Sequence, residues 1–541
     1  MTNTSPRLEP SPLDQMDSVV SFMLPGVVAY VAWRTYSVLK WQQLYGSPDV
    51  IALFAPLSLP GTVVGMGVEW TWKQRENAYG KDKDTIRVTP LLWGDTILYT
   101  RNIDILRQVA GGGSNRTFIK PEWGSEGMMI FGRNLVSENL DDWRRHRRIM
   151  QPAFNTKTYD LVWQDTIKTY KDMVKTEAWP TTPGQSIDIP SIGRYTYKLG
   201  LYVIAAIGLG VRFDWATPPT PPGQKKGLHE NIQTLEHFYI LLIIFSKKLL
   251  NALPINACKQ LMESYNSVKT FIQSEIHVRR DLVHQSMAQG DTENESLRLD
   301  VFTRLILSNE MEGKYPLSDP ELSASYDANT GSVYMLLLAG HDTTSATIIA
   351  ACAQLAVHPD IQAKIYEEVQ SLGDNWTFES YSKLRYTLQV FVEASRLYPA
   401  GFLALRSPLE DTVVRVPAAN STRQPSQLAL PKDSAVCVDF IGVHYNPNVF
   451  PDPMRFNPSR WDGVGEDHFT TFSTGPRQCL GKKFAMTEGV AFLASLIKDY
   501  RIAPLLKAGE TVEQWKDRSL KNIKMLLTLS IKDAPLVLTR R

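Results

Sequence analysis

Apolar residues along this chain fall into two uncharged N-terminal runs and then a long series of helix-like segments. The first run, Ser18 to Trp33 (SVVSFMLPGVVAYVAW), is shorter than the ~20 residues that cross a bilayer, and Pro25 interrupts it. The second, Val50 to Val68, is long enough but carries Pro56, Pro60 and three glycines. Arg34 and Lys40 lie between them. The pattern predicts a membrane anchor or a buried helix for the first run. For the second the prolines favour buried core. The opening MTNTSPRLEPSPLDQMD leans acidic and lacks a basic leader or a small-residue cleavage site, so a retained anchor is expected over a cleaved signal. The positive-inside rule then puts the main body on the cytosolic side.

Past residue 80 the periodicity is mainly helical. SVYMLLLAGHDTTSATIIAACAQLAVH and LRYTLQVFVEASRLY are the clearest helices, while DTIRVTPLLWG (84–94) and the terminal LVLTRR read as strands. Polar or proline-rich breaks at 216–227, 287–296 and 312–321 read as surface loops, and no period repeats. The expectation is a tail and anchor region over 1–69 followed by one large domain over 70–541, mainly α with a small β region.

Composition adds exclusions. The chain has 541 residues, 43% of them hydrophobic, and a formal net charge of +2, which is too little to suggest a nucleic-acid partner. Its four cysteines, Cys258, Cys352, Cys437 and Cys479, are far apart. That excludes CxxC zinc or redox spacing and argues for a reducing or cytosol-facing setting.

One cysteine has unusual company: FSTGPRQCLG, Phe472 to Gly481. A lone cysteine is ordinarily a small apolar core residue. Here Gly475 and Gly481 allow a sharp turn or a close approach, and Arg477 places a cation two residues before the sulfur. The amphipathic KKFAMTEGVAFLASLIKDY follows, so Cys479 falls near a helix N-terminus, where a thiolate is favoured. Such a thiolate is suited to be an axial ligand of haem iron.

These residues carry a resemblance. FSTGPRQCLG matches the cysteine-ligand loop F-x-x-G-x-R-x-C-x-G of the cytochromes P-450, the haem-thiolate monooxygenases, at every fixed position. AGHDTT, Ala339 to Thr344, resembles the family's oxygen-activation motif. There the resemblance implies Thr343 as the alcohol and Asp342 as the proton-relaying acid, with Gly340 permitting a local distortion and His341 structural. EASR, Glu393 to Arg396, resembles E-x-x-R, and FNPSRW, Phe456 to Trp461, resembles the meander whose Arg460 completes that triad. Ser459 and Trp461 depart from the usual acid and phenylalanine. Trp143 and Arg147 in DDWRRHRR resemble W-x-x-x-R, which reaches a haem propionate, and Arg477 and Arg406 are further propionate partners.

The resemblance spans roughly residues 70–541 and implies haem b at Cys479, held also by Phe472, Gly475 and Gly481. It implies electrons from NADPH through NADPH–cytochrome P-450 reductase, with cytochrome b5 as a second donor, because the chain carries no flavin or nicotinamide fingerprint. Lys482, Lys483 and part of Arg144–Arg148 would meet that partner or serve solubility alone. Family topology puts Met128, Phe131, Leu338, Ala339, Phe402 and Leu403 near the substrate, all apolar. A lipophilic substrate follows: in a sequence of fungal style, a terpenoid or other secondary-metabolite intermediate, then a sterol or fatty acid. The expected location is the endoplasmic reticulum membrane, although the proline-rich hinge usual after such an anchor is absent. Two rivals remain, a reductase-independent haem-thiolate isomerase or dehydratase and a non-catalytic haem protein.

Overall fold

In the computed structural model the apolar run at 332–358 lies largely within one helix, Asp319–Ala356. The residues described are 12–45, 48–80, 83–111, 117–125, 128–216, 226–288, 300–303, 319–416, 426–525 and 527–541. Most of the three predicted breaks therefore lies outside the described residues. Two compact units are present, Met1–Thr100 with Ser434–Cys437, and Arg101–Asp433 with Val438–Arg541.

In the larger unit the Asp319–Ala356 helix is the axis. Ile348, Ile349, Cys352 and Leu355 on it are at most 2% exposed. It passes close to the helix Gly193–Gly208. A Cβ at Gly200 would stand 2.8 Å from Ser345 Oγ, and one at Gly340 would stand 2.6 Å from Ile204 Cγ1. The glycine of the AGHDTT motif is thus required by packing. The helix is continuous through it. Gly331–Ala356 is the one helical stretch among the described residues long and apolar enough to cross a membrane, and its most apolar window is 78% buried, as a core helix is.

The helices Arg385–Leu397 and Lys482–Asp499 complete this core. Leu493, Leu496 and Ile497 are fully buried. The unit's strands are short. Ser186–Ile189, Leu536–Arg540 and Tyr500–Pro504 form an antiparallel sheet in the order first, second, third. Ile523–Met525 and Leu529–Ile531 form a hairpin beside the central helix. The predicted terminal strand is the middle strand of the first of these sheets.

In the smaller unit the helix Pro12–Tyr45 contains the whole first apolar run and keeps Pro25 inside it. Val28, Val31, Trp33, Tyr36 and Leu39 are exposed on it. Arg34 fixes this helix by donating to the carbonyls of Pro90 and Gly94, each at 2.7 Å. The second run forms no single span. It divides into the strand Val50–Phe54 and the short helix Leu59–Val64, begun by the Ser58 cap. Nor is it simply core, since Ile51, Leu53, Val63 and Val64 are exposed. Val50–Phe54 pairs in parallel with Thr85–Trp93, the strand predicted at 84–94, which pairs antiparallel with Ile97–Thr100.

Candidate active site

Cys479 sits on a tight loop just before the helix Lys482–Asp499. Gly475 holds φ +72°, a left-handed backbone that a side chain would strain. The loop closes through Cys479 N–H to Phe472 O at 2.9 Å and Gln478 N–H to Gly475 O at 2.9 Å. Arg147 donates to Gln478 O at 2.9 Å and so ties the Leu140–Met150 helix to the loop. The cysteine is exposed. Protein around the sulfur pushes its pKa up, while the Gly481 N–H, Arg147 and Lys482 pull the other way, toward thiolate.

Beside the loop lies a cluster of cations, one buried and two half-buried. Arg477 stacks over Trp143 at 4.3 Å and donates to Glu138 O at 2.9 Å. Burial, then Arg406, lowers its pKa to about 9. Arg406 is 7% exposed, and burial brings its pKa down to about 10. Lys120, whose ammonium donates to Val136 O, is pushed well down by burial and then by Arg477 and Arg406. Glu138 is the one acid that draws on both Lys120 and Arg477, and it pairs with Arg133 at 3.6 Å. Lys120, Arg406 and Arg477 thus outnumber the acid beside them, a positive surplus that an anion would relieve.

On the central helix the motif residues divide between faces. Thr343 and Ala339 are open to solvent-accessible space, with Thr343 Oγ1 donating to Ala339 O at 2.7 Å. Asp342 is 4% exposed and turns instead to Thr528, whose hydroxyl donates to its Oδ2.

Comparison with known proteins settles the class. The cytochrome P450 family model matches residues 95–528. Cytochrome P450 monooxygenase 124 of Postia placenta is 30% identical over 434 residues, 78% of this chain and 80% of that protein. The chain belongs to the cytochrome P450 family. Cytochrome P450 monooxygenase prx9 of Penicillium rubens is 25% identical, covering 80% of this chain and 78% of its own. A cyanobacterial P450 solved with retinoic acid bound superposes with a TM-score of 0.64 at 20% identity, covering 88% of this chain and 95% of that one. The expected fold, family and enzyme class, a P450 monooxygenase, are thus shown.

P450 proteins hold haem, and the residues here fit it. The charge surplus of Lys120, Arg406 and Arg477 is what two propionates neutralise, and the Cys479 thiol is accessible to an iron. Lys120 and Glu138 were not legible in the sequence. They reach the cluster only by folding, and no spacing relates them to Arg406 or Arg477.

The Glu393 carboxylate of this P450 accepts five hydrogen bonds. Arg396 makes a two-pronged contact with Glu393, 2.9 Å at each prong, and Arg460 Nε adds a third at 2.9 Å. Trp461 Nε1–H donates to Glu393 at 3.0 Å and Asn457 N–H at 2.9 Å. Arg396 is also held by His444 O and Pro453 O, both at 2.8 Å. Trp461, a departure from the family pattern, therefore supplies a donor that phenylalanine lacks.

Of the apolar candidates, Phe131 is buried, stacked on Tyr265 at 4.6 Å and tilted against Tyr334 at 4.3 Å. Leu338 and Phe402 are buried, while Leu403 and Met128 are half-buried. One expectation needs correction. Lys482 is no surface docking group: it is 8% exposed and its ammonium donates to Glu466 O. Lys483 pairs with Glu466 at 3.0 Å, and Arg144, itself paired with Asp141 at 3.0 Å, is exposed together with Arg145 and Arg148 on a basic face.

Proposed function

We propose that this P450 inserts one oxygen atom from dioxygen into a lipophilic small molecule, a terpenoid or other secondary-metabolite intermediate, using NADPH electrons delivered by a separate reductase. The observation that carries the substrate class is the apolar character of Met128, Phe131, Leu338, Ala339, Phe402 and Leu403, with Phe131 packed on Tyr334 and Tyr265; a cation, Lys247, touches that group at the Tyr265 hydroxyl, 2.7 Å away. Apolar ligands are favoured where apolar and aromatic side chains dominate a site.

Haem bound at Cys479 supplies the activation of dioxygen and the oxidation of carbon. The protein's part is to hold and to protonate. Cys479, on the loop before the helix Lys482–Asp499, would ligate the iron, and Gly481 N–H, Arg147 and Lys482 oppose the burial that raises its thiol pKa. Lys120, Arg406 and Arg477 would hold the haem propionates. Thr343 holds its hydroxyl at the open face of the central helix, and Asp342 carries protons behind it. The reading places the catalytic unit at the cytosolic face of the endoplasmic reticulum membrane. The exposed Val28, Val31, Trp33, Tyr36 and Leu39 of the N-terminal helix support it.

The test uses microsomes from a host co-expressing this protein and a reductase, offered pooled terpenoids, sterols and fatty acids with and without NADPH. A product heavier by one oxygen, formed only with NADPH, is expected. A product of unchanged or dehydrated mass formed without NADPH would favour the isomerase or dehydratase. Cys479→Ser is expected to abolish the thiolate-type ferrous–CO spectrum, and its persistence would remove Cys479 as the ligand.

A further inference from the structure

Asp342 turns into a cavity of about 190 Å3 lined by Tyr197, Gln233, Glu236, His237, Lys524, Leu527 and Thr528. Gln233 and His237 are exposed at its rim. The Glu236 side chain is 17% exposed, and Asp342 lies deepest at 4%. His341, the variable residue of the motif, is fully buried, and its Nε2 stands 3.3 Å from Glu236 Oε1. Its other nitrogen, Nδ1, donates to Leu337 O at 2.7 Å. Sequence reasoning made His341 merely structural. The structure gives it an acid from the helix Leu228–Ile244.

One buried polar atom here, Asp342 Oδ1, has no hydrogen-bond partner, while Glu236 Oε1 and His341 Nε2 face each other at 3.3 Å and bond to nothing else. Buried polar atoms are ordinarily satisfied by protein or by ordered water. A polar cavity of this size has room for several waters. Two acids bordering one wet cavity, one near solvent and one in the core, form the ends of a path.

We propose that this cavity is the proton inlet of the enzyme: Glu236 takes protons from solvent, water carries them to Asp342, and His341 holds Glu236 in position. The proposal rests on the monooxygenase reading above, which consumes two protons per turnover. In each transfer the Glu236 carboxylate, through the oxygen turned away from His341, gives a proton to the water chain and regains one from solvent. Asp342 Oδ1 accepts a proton and passes one on toward Thr343, so neither acid is changed over a cycle.

The surroundings suit the task. Burial, then Glu236, raises Asp342 to about 6, against the opposing pull of His341, Lys524 and the Thr528 hydroxyl. Asp342 therefore exchanges protons near neutral pH. Burial alone would push His341 down, but Glu236, Asp342 and the Leu337 carbonyl overcome it and hold the ring above its ordinary value. Burial, then His341, brings His229 on the same helix as Glu236 down to about 4, so it stays neutral. Burial raises Tyr197, from the helix Gly193–Gly208, and Tyr334 above the ordinary phenol value, and neither competes as an anion. Lys524, on the strand Ile523–Met525, is the cation facing Asp342 from the hairpin.

The experiment compares wild-type holoenzyme with Glu236→Gln, Glu236→Asp and His341→Gln. Product per NADPH and the solvent deuterium isotope effect are measured across pH 5–9, beside turnover driven by hydrogen peroxide, which brings its own protons. Glu236→Gln is expected to lose about tenfold or more of NADPH-driven turnover with a larger isotope effect, and much less of the peroxide-driven rate. Glu236→Asp is expected to recover part of the loss. His341→Gln is expected to fall between. An infrared titration of the carboxyl band, assigned with Asp342→Asn, is expected to move its midpoint from about 6 toward ordinary carboxylate values in Glu236→Gln, because a buried negative neighbour is gone. Wild-type NADPH turnover and an unmoved midpoint in Glu236→Gln would overturn the proposal, as would equal loss of both turnover modes. Absence of a thiolate-type ferrous–CO spectrum in the wild type would instead sink the monooxygenase reading, and the infrared result is read independently of it.

Discussion

Trp461 stands where the family more often has phenylalanine, and its indole N–H is one of five donors around the Glu393 carboxylate. Trp461→Phe keeps the ring contacts with Phe450 and Phe469 but leaves a fully buried acid one donor short. The expected loss is about 1.5–3 kcal/mol, as for a hydrogen bond to a charged group, read from the shift in urea midpoint. An unchanged midpoint would make Trp461 a space-filler. Glu488 is the opposite case. It is fully buried, both oxygens lack partners, and burial pushes its pKa well up. The folded chain keeps that proton while the unfolded chain releases it near the ordinary glutamate value, so stability falls as pH rises above that value. Glu488→Gln is therefore expected to raise Tm more at pH 8 than at pH 4, and equal gains at both would refute a neutral Glu488. Glu393 and Arg396 were legible through the resemblance of EASR to E-x-x-R, since an i, i+3 acid and base on one helix is common by itself. Nothing in the sequence pointed to Lys120 or Glu236, whose partners come from distant parts of the chain.

Helices of this P450 meet where side chains are missing. A Cβ on Gly489 would lie 2.2 Å from Cε2 of Phe391, itself 1% exposed and without room to turn. Gly489→Ala is expected to cost about 1–3 kcal/mol through overpacking between the helices Lys482–Asp499 and Arg385–Leu397, measured by thermal unfolding. Wild-type Tm would show that the two helices can part without penalty. Periodicity located these elements well, since a buried helix and its polar breaks differ strongly in pattern. It could not say why particular glycines sit in them. Gly340 reads in sequence as a point of distortion, but in the structure it is the site of close approach to Ile204. A glycine's reason lies in its neighbour, and the neighbour is set by tertiary packing.

At the scale of the whole chain, apolar surface is concentrated in the smaller unit. Besides the N-terminal helix, Ile51, Leu53, Val63, Val64, Leu91, Leu92 and Trp93 are exposed there. Large apolar patches on a protein surface mark contact with a partner or a lipid. Removal of residues 1–45 is therefore expected to reduce, but not abolish, co-sedimentation with phospholipid vesicles. Complete recovery of the truncated protein in the supernatant would confine membrane contact to the helix. The sequence marked both uncharged runs, and its prolines rightly argued against a second span. It could not tell buried from exposed, because hydrophobicity alone is the same in a core and at a lipid face.

The crowding of Lys120, Arg406 and Arg477 also has a consequence for the living cell. Haem carboxylates placed among these cations would offset their surplus charge, so binding of the pigment is expected to stabilise the fold. The steady amount of this protein will then follow the supply of iron and porphyrin at constant transcript, and starvation for either will remove it by degradation.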